Sequence, residues 1–269
     1  MDLRIEGGGA LGHGTLRVTW MVDDWYHPPM SARRPRLHPI AERLLLAGGV
    51  TAFYLLYFPI SRGLDGAGGH HPATWVDRAL PVDARWMYVY FAVMVSGFTP
   101  GLIVASRGLF RRVALAYLVV QASAFAVFLA WPVVMDQRAE VPVTSFATWG
   151  LAVCYHIDPP GTCFPSIHVT LAVLAALCSW KADRVVGSVA VVIGVLIAFS
   201  TLMVKQHYLV DVLGGFVLAS ATWALVVAPW RPALEERMAL PRWAPLALLV
   251  VYGLAVLGLY VVYRLGVAP

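Results

Sequence analysis

Two polar strings interrupt long apolar runs, and each carries a histidine. The first is Cys163-Phe-Pro-Ser-Ile-His168; the second runs from Ser200 through Lys205 and His207 to Asp211. An ionisable side chain inside or at the rim of a membrane span is costly and marks a functional site by default. An imidazole beside a carboxylate suits nucleophilic attack on phosphorus. The carboxylate accepts a hydrogen bond from the N–H of one ring nitrogen, which fixes the tautomer and leaves the other nitrogen its lone pair. His207 and Asp211 are four residues apart, the spacing that puts two side chains on one helical face. Pro165 fits the first position of a helix, whose N-terminal N–H groups would cradle an anion. His168 would then lie about one turn inside, placed to protonate a leaving oxygen.

Around these three, Lys205 either neutralises phosphate oxygens or snorkels to the lipid headgroups. Arg138 is a second clamp with better bidentate geometry, or only a topology signal. Ser200 is expected to donate a hydrogen bond to phosphate, and Ser166 to serve as a helix cap or a hydroxyl donor. Asp158 either starts a turn at Asp158-Pro-Pro or takes part in the chemistry.

The elements that position these residues belong in a bilayer. The chain has 269 residues, 59% hydrophobic and 13% charged, with a mean hydropathy of +0.71. A soluble domain carries about 25% charged residues. A chain this apolar cannot cover itself with polar surface, so most of it must face lipid. Disorder, nucleic-acid binding and a disulfide scaffold are excluded, the last also by a count of 3 cysteines. Seven runs approach the roughly 20 apolar residues a spanning helix needs: 44–60, 86–105, 113–135, 166–180, 185–204, 208–228 and 243–263. An eighth, 143–157, is bracketed by Pro142 and Pro159-Pro160 and reads as a re-entrant or interfacial helix. The fold expected is an all-α polytopic membrane bundle, with a tail over 1–43 and a single membrane domain over 44–269.

The net charge of +5 reads as topology rather than as an acidic partner. Arg4, Arg17, Arg33, Arg34, Arg36, Arg43, Arg107, Arg111, Arg112, Lys181, Arg184, Arg231, Arg237 and Arg242 fall on one side of a seven-span chain. Arg62, Arg78, Arg85, Arg138, Lys205 and Arg264 fall on the other. The positive-inside rule then puts the N-terminus in the cytoplasm, and the C-terminus and both histidine strings at the external face of the plasma (inner) membrane. Residues 1–40 lack the continuous apolar core of a cleavable signal peptide. The tail holds Trp20, Met21, Trp25 and Tyr26 among charges and either lies on the membrane surface or is loosely ordered. The Gly-rich loop over 62–85 reads as flexible, its His70-His71 pair as solvated or metal-binding. Cys154 and Cys163, in a loop placed outside, are candidates for a disulfide. Gly214-Gly215 reads as a site of close helix packing.

Pro165-Ser166-Ile167-His168 together with Ser200-x6-His207-x3-Asp211 resembles the second and third motifs of the type-2 phosphatidic acid phosphatase superfamily, P-S-x-H and S-R-x5-H-x3-D. The wider strings, Asp158 to His168 and Lys205-Gln-His-Tyr to Asp211-Val, are most similar to its inositol phosphorylceramide synthase-like (inositolphosphotransferase) branch. The resemblance covers about 86–228. It implies a six-helix core plus about one extra transmembrane helix, with His207 as the nucleophile that becomes phosphohistidine, Asp211 as its orienting partner and His168 as the general acid. Two features depart from the pattern. Thr201 stands where the motif arginine belongs, and the first motif, K-x6-R-P, is reduced to Gln137-Arg138.

The function expected is a lipid phosphoryl transfer through phosphohistidine, with no metal or other cofactor because basic side chains and a helix N-terminus supply the charge stabilisation. The partner is a membrane phospholipid or lipid phosphate. A lipid alcohol as acceptor makes the chain a headgroup phosphotransferase; water makes it a lipid phosphate phosphatase. Two other classes compete. A haem-binding membrane protein would use paired histidines but gives Asp211 and Pro165 no reason to exist. A lipid transporter would place its charges deeper than one rim. No G-x-S-x-G-like string points to a serine hydrolase.

Overall fold

The computed structural model describes residues 39–66, 68–231 and 244–268. Most of the tail over 1–43 lies outside them, with five of its six arginines and its aromatic residues, and so do Arg237 and Arg242. Every regular element among the described residues is helical. In chain order they are α1 (Pro39–Tyr54), α2 (Tyr57–Leu64), α3 (Trp75–Ala79), α4 (Met87–Tyr90), α5 (Val93–Ser96), α6 (Thr99–Ile103), α7 (Arg107–Ala130), α8 (Phe146–Ile157), α9 (Ile167–Ala182), α10 (Arg184–Met203), α11 (Leu209–Thr222) and α12 (Ala244–Arg264). A 3-10 turn, Ala84–Trp86, leads into α4, and a π turn, Trp223–Val227, extends α11.

By length and composition, 4 helical stretches among the described residues can cross a membrane: Ile40–Leu64, Arg107–Ala130, Arg184–Met203 and Leu209–Val227. The seven full spans expected are therefore not all continuous helices. The run 86–105 is the clearest correction. It breaks into α4, α5 and α6: Gly97 falls between α5 and α6, and Pro100, whose nitrogen offers no donor, sits in the first turn of α6. A carbonyl at the break finds a side chain instead: Tyr117 Oη donates to Gly97 O at 2.7 Å. Non-helical backbone at membrane depth is tolerated where protein buries and satisfies it in this way. The run 143–157 folds as α8, 12 residues opened by a Ser145/Thr148 capping box, too short to span.

Helix α9 is the axis of the bundle. Its Ile167, His168, Val169, Thr170, Ala172, Val173, Leu174, Ala175, Ala176, Cys178 and Ser179 are all buried, with α10 and α11 packed along it. The outer faces are apolar, as lipid requires: Val185, Val189, Val192 and Leu196 of α10 and Leu213, Phe216 and Val217 of α11 are exposed. At one end, Glu42 pairs with Arg107 and Arg111, Arg112 donates to Val226 O at 3.0 Å, and Lys181 donates to Ala228 O at 2.7 Å. Basic residues assigned to one side by sequence thus gather at one end. The opposite end, where α7 and α10 finish and α9 and α11 begin, holds the histidines.

The approach of α11 to α9 depends on Gly215, whose missing side chain would meet Ser166 O at 2.7 Å and Thr170 Oγ1 at 3.1 Å. Gly214 is packed instead against the Phe164 ring. Gly215→Val should therefore force the helices apart and cost about 1–3 kcal/mol, read as a lower midpoint of thermal unfolding in detergent. Gly48→Ala, with nothing within 4 Å of the added carbon, should not lower it.

Candidate active site

The turn between α10 and α11 is folded by its own polar atoms. Lys205 takes a left-handed conformation, φ 49°, which is uncommon outside glycine. Gln206 N and His207 N both reach back to Thr201 O, at 2.9 and 3.3 Å. This hook carries His207 inward, 3% exposed. Helix α11 starts only at Leu209, so His207 precedes it and does not share a helical face with Asp211, as the spacing had indicated. Its Nδ1 faces the Cys163 carbonyl at 3.0 Å, while Asp211 Oδ2 stands off at 3.7 Å. A carbonyl can only accept, so Nδ1 carries the proton and Nε2 keeps the lone pair. The backbone, rather than the carboxylate, holds the tautomer. Asp211 Oδ2 instead caps α11 by accepting from Tyr208 N at 2.7 Å, and its Oδ1 is buried without a hydrogen-bond partner.

His168 comes from α9, whose N-cap is Ser166. The Ser166 hydroxyl accepts from Val169 N at 3.2 Å, so of the two roles expected it takes the cap. Pro165 therefore lies before the cap and not at the first helical position; it follows Phe164 through a cis peptide bond. Ser166 N donates to Asp211 O at 3.0 Å, locking the start of α9 to the first turn of α11. This lock brings the imidazoles together: His168 Nδ1 lies 3.0 Å from His207 Nε2. Because Nε2 of His207 is the acceptor, His168 Nδ1 is the donor. On its far side, His168 Nε2 meets Tyr90 Oη at 3.2 Å and Asp158 Oδ2 at 3.8 Å.

Asp158 does more than start a turn. It is buried against the Tyr57 hydroxyl, which also meets Thr162 Oγ1 at 2.9 Å. Burial pushes its carboxyl above the usual range. Arg138 spans both halves of the site, donating from one terminal nitrogen to Asp158 O at 2.8 Å and from the other to Gln206 Oε1 at 2.6 Å. Its guanidinium stacks over Tyr155 at 4.7 Å, and its Nε is buried without a partner.

Two expected phosphate ligands are engaged elsewhere. Ser200 Oγ donates to Ile197 O of its own helix at 2.7 Å. Lys205 Nζ donates to Asp77 O and to Gln137 Oε1, the latter at 3.2 Å. Burial lowers the Lys205 ammonium below the usual lysine range.

The loop over 62–85, expected to be flexible, is pinned to the site. Asp77 closes a capping box with Thr74 and accepts from Leu209 N at 2.8 Å, so two carboxylates cap the start of α11. His70 stacks on Trp131 with centroids 3.9 Å apart, and His71 Nδ1 meets Val134 O at 2.9 Å. The pair is exposed yet held in place, and it fastens the loop to the segment after α7. Cys154 and Cys163 are both free thiols. Cys154 Sγ accepts from Gln206 Nε2 at 2.8 Å and Cys163 Sγ donates to Pro160 O at 3.1 Å, so no disulfide braces the site. Among the described residues, Cys163, His207 and Asp211 bring one potential metal-ligating atom each within 4.8 Å of one another. The hydrogen bonds just given already occupy the thiol, the histidine Nδ1 and one carboxylate oxygen.

Tyr90, Asp77 and the Cys163 carbonyl escaped the sequence reading. Tyr90 and Asp77 lie in segments read as plain span and plain loop, and a carbonyl has no residue type to signal it. Asp77→Ala removes both a capping box and a cap of α11, and should cost about 1–2 kcal/mol as a lower thermal midpoint. Asp77→Asn keeps an acceptor oxygen and should recover part of the loss.

A family model described as the PAP2 superfamily matches residues 69–225. No curated protein and no solved structure matches the chain. The match covers more than half of the sequence and contains both histidine strings. The chain belongs to the PAP2 superfamily, the type-2 phosphatidic acid phosphatases, and the family with the apolar helices supports a phosphatase-type enzyme of the membrane.

Proposed function

We propose that the protein transfers the phosphoryl group of a membrane lipid through a covalent intermediate on His207, with His168 as acid and then base. The observation that carries this reading is the 3.0 Å approach of His168 Nδ1 to the lone-pair nitrogen of His207. A bound phosphate ester takes the place of that contact. Nε2 of His207 attacks phosphorus, the P–N bond forms and the P–O bond to the leaving group breaks. The leaving oxygen takes the Nδ1 proton of His168.

For His168 to give up that proton without becoming an anion, its Nε2 must carry one too. Asp158 Oδ2, 3.8 Å away, provides the counter-charge for that imidazolium. Neutral His168 then removes the proton from the incoming hydroxyl as its oxygen displaces Nε2 of His207, and both histidines return to their starting state. Developing charge on the phosphate is met by the N-terminus of α9 and by the unpartnered Nε–H of Arg138. Asp211, near but not bonded to Nδ1 of His207, supports the positive charge that ring acquires on phosphorylation. Lys205 and Ser200 act through the turn that presents His207. No metal is required by this sequence of steps.

The acceptor we favour is a lipid alcohol, which makes the chain a headgroup phosphotransferase as in the inositol phosphorylceramide synthase-like branch. Support comes from the Lys205-Gln-His-Tyr208 string and from the absence of the arginine and first-motif pattern typical of the phosphatases. Hydrolysis differs only in the hydroxyl that enters. The same reading places the N-terminus in the cytoplasm and the histidines at the external face, from the distribution of basic residues.

His207→Ala and His168→Ala should each lower turnover at least about 10³-fold without shifting the thermal midpoint, in an assay following both inorganic phosphate and new phospholipid. Asp211→Asn should slow the reaction severely while lipid still binds. Full turnover by His207→Ala would overturn the covalent route. Asp158→Asn should depress the rate while leaving Arg138 its backbone acceptor, because only the carboxylate charge behind His168 is lost.

A further inference from the structure

A cavity of about 440 Å³ opens beside the histidines and runs into the bundle between α1, α7 and the broken segment α4–α6. On α7 it touches Phe110, Val113, Ala114, Tyr117 and Gln121, one face of the helix over about 16 Å. Its upper end is lined by His168 and Asp158, so a lipid whose phosphate sits at His207 has its apolar body here. The wall is overwhelmingly hydrophobic, and its buried polar atoms are paired with one exception. Tyr57 bonds Asp158 and Thr162, Tyr90 bonds His168, and Tyr117 bonds Gly97 O. Gln121 does not fit this pattern: it is 1% exposed and its Oε1 has no hydrogen-bond partner.

An orphan acceptor in an apolar wall is expensive, on the order of 1–3 kcal/mol, and few persist without a function. Its depth is informative. Ile167, next to His168, belongs to one hydrophobic cluster with Ala124, Phe125 and Phe128 of α7, and both His168 and Gln121 line the cavity. Gln121 lies three residues from Ala124 toward the α7 N-terminus, about 5 Å along the helix. A lipid atom reaching it is therefore only a few bonds from the phosphate ester.

We propose that Gln121 is a specificity-determining residue that accepts a hydrogen bond from a hydroxyl or amide N–H on the substrate close to its phosphate. The inference rests on the phosphoryl-transfer reading for the position of the phosphate. It divides lipids by chemistry. A lysophosphatidic acid has a free hydroxyl next to its phosphate-bearing carbon, and a sphingoid-type phosphate has a hydroxyl and an amide there. Diacyl phosphatidic acid and polyprenyl phosphates have no donor in that region, so in them Gln121 stays unpaired. Such a site rejects the analogue lacking the group because a buried partner is left unsatisfied.

The test uses the purified full chain in nanodiscs, as wild type, Gln121→Leu and Gln121→Asn. Rates are measured on lysophosphatidic acid, ceramide phosphate, diacyl phosphatidic acid and a polyprenyl phosphate, each with and without an added lipid alcohol as acceptor. Binding of the matching non-hydrolysable phosphonates is measured in parallel. Wild type should favour the two donor-bearing lipids about tenfold in kcat/KM and in phosphonate affinity, the worth of one net hydrogen bond. Gln121→Leu should erase that preference while leaving the donor-free lipids within about twofold, and Gln121→Asn should restore part of it. Equal losses on all four lipids would make Gln121 merely structural and overturn the proposal. So would a loss confined to diacyl phosphatidic acid, which would mean that the amide donates to an ester. If no lipid turns over but the phosphonates still divide by donor, the phosphoryl-transfer reading fails and the role of Gln121 stands. If turnover is sound and the phosphonates do not divide, the reverse holds.

Discussion

The contact between His168 Nδ1 and His207 Nε2, 3.0 Å long, is possible only because each ring is held from behind. A backbone carbonyl, Cys163 O, fixes the proton of His207 on the remote nitrogen. Tyr90 and Asp158 close the far side of His168. The two helices that carry these rings meet through Ser166 N and Asp211 O, and that meeting is close because residue 215 is glycine. A pair of imidazoles can serve one phosphorus atom only if both nitrogens address the same point. The α9–α11 junction exists to meet that constraint, and the membrane helices around it supply its rigidity.

This explains a division of labour among the carboxylates. Asp211 and Asp77 satisfy the first amides of α11 and so build the platform from below. Asp158 is buried beside a histidine and a tyrosine, its Oδ2 3.8 Å from His168 Nε2, the position the proposed reaction uses. Arg138 links that carboxylate's backbone to Gln206, the neighbour of His207, so that one guanidinium touches both halves of the centre. In the proposed reaction the cavity beside His168 receives the apolar chain of the lipid while its phosphate meets the histidines.

Much of this was legible in the sequence because charge in an apolar chain is conspicuous. His168, His207, Asp211 and Arg138 stand out by residue type alone, and hydrophobic runs of about 20 residues announce helices. What escaped had no such signature. The break over 86–105 is hidden in a run that is apolar on average, since hydropathy does not register what Gly97 and Pro100 do to backbone hydrogen bonding. The loop over 62–85 looked flexible from its glycines, whereas Asp77, His70 and His71 pin it by contacts with residues more than sixty positions away. The spacing of His207 and Asp211 implied one helix. The chain instead turns at Lys205 before α11 begins, and the carbonyl of Cys163 takes the place assigned to the carboxylate. Cys154 and Cys163 show the same limit: nine residues of separation said nothing of where the thiols point.

The most direct test is to quench the working enzyme within milliseconds at alkaline pH and locate phosphate on its peptides by mass spectrometry. The account predicts phosphohistidine at His207, on Nε2, because Nδ1 is committed to the Cys163 carbonyl. Phosphate on His168, on Nδ1 of His207, or on no histidine while lipid is turning over would contradict it.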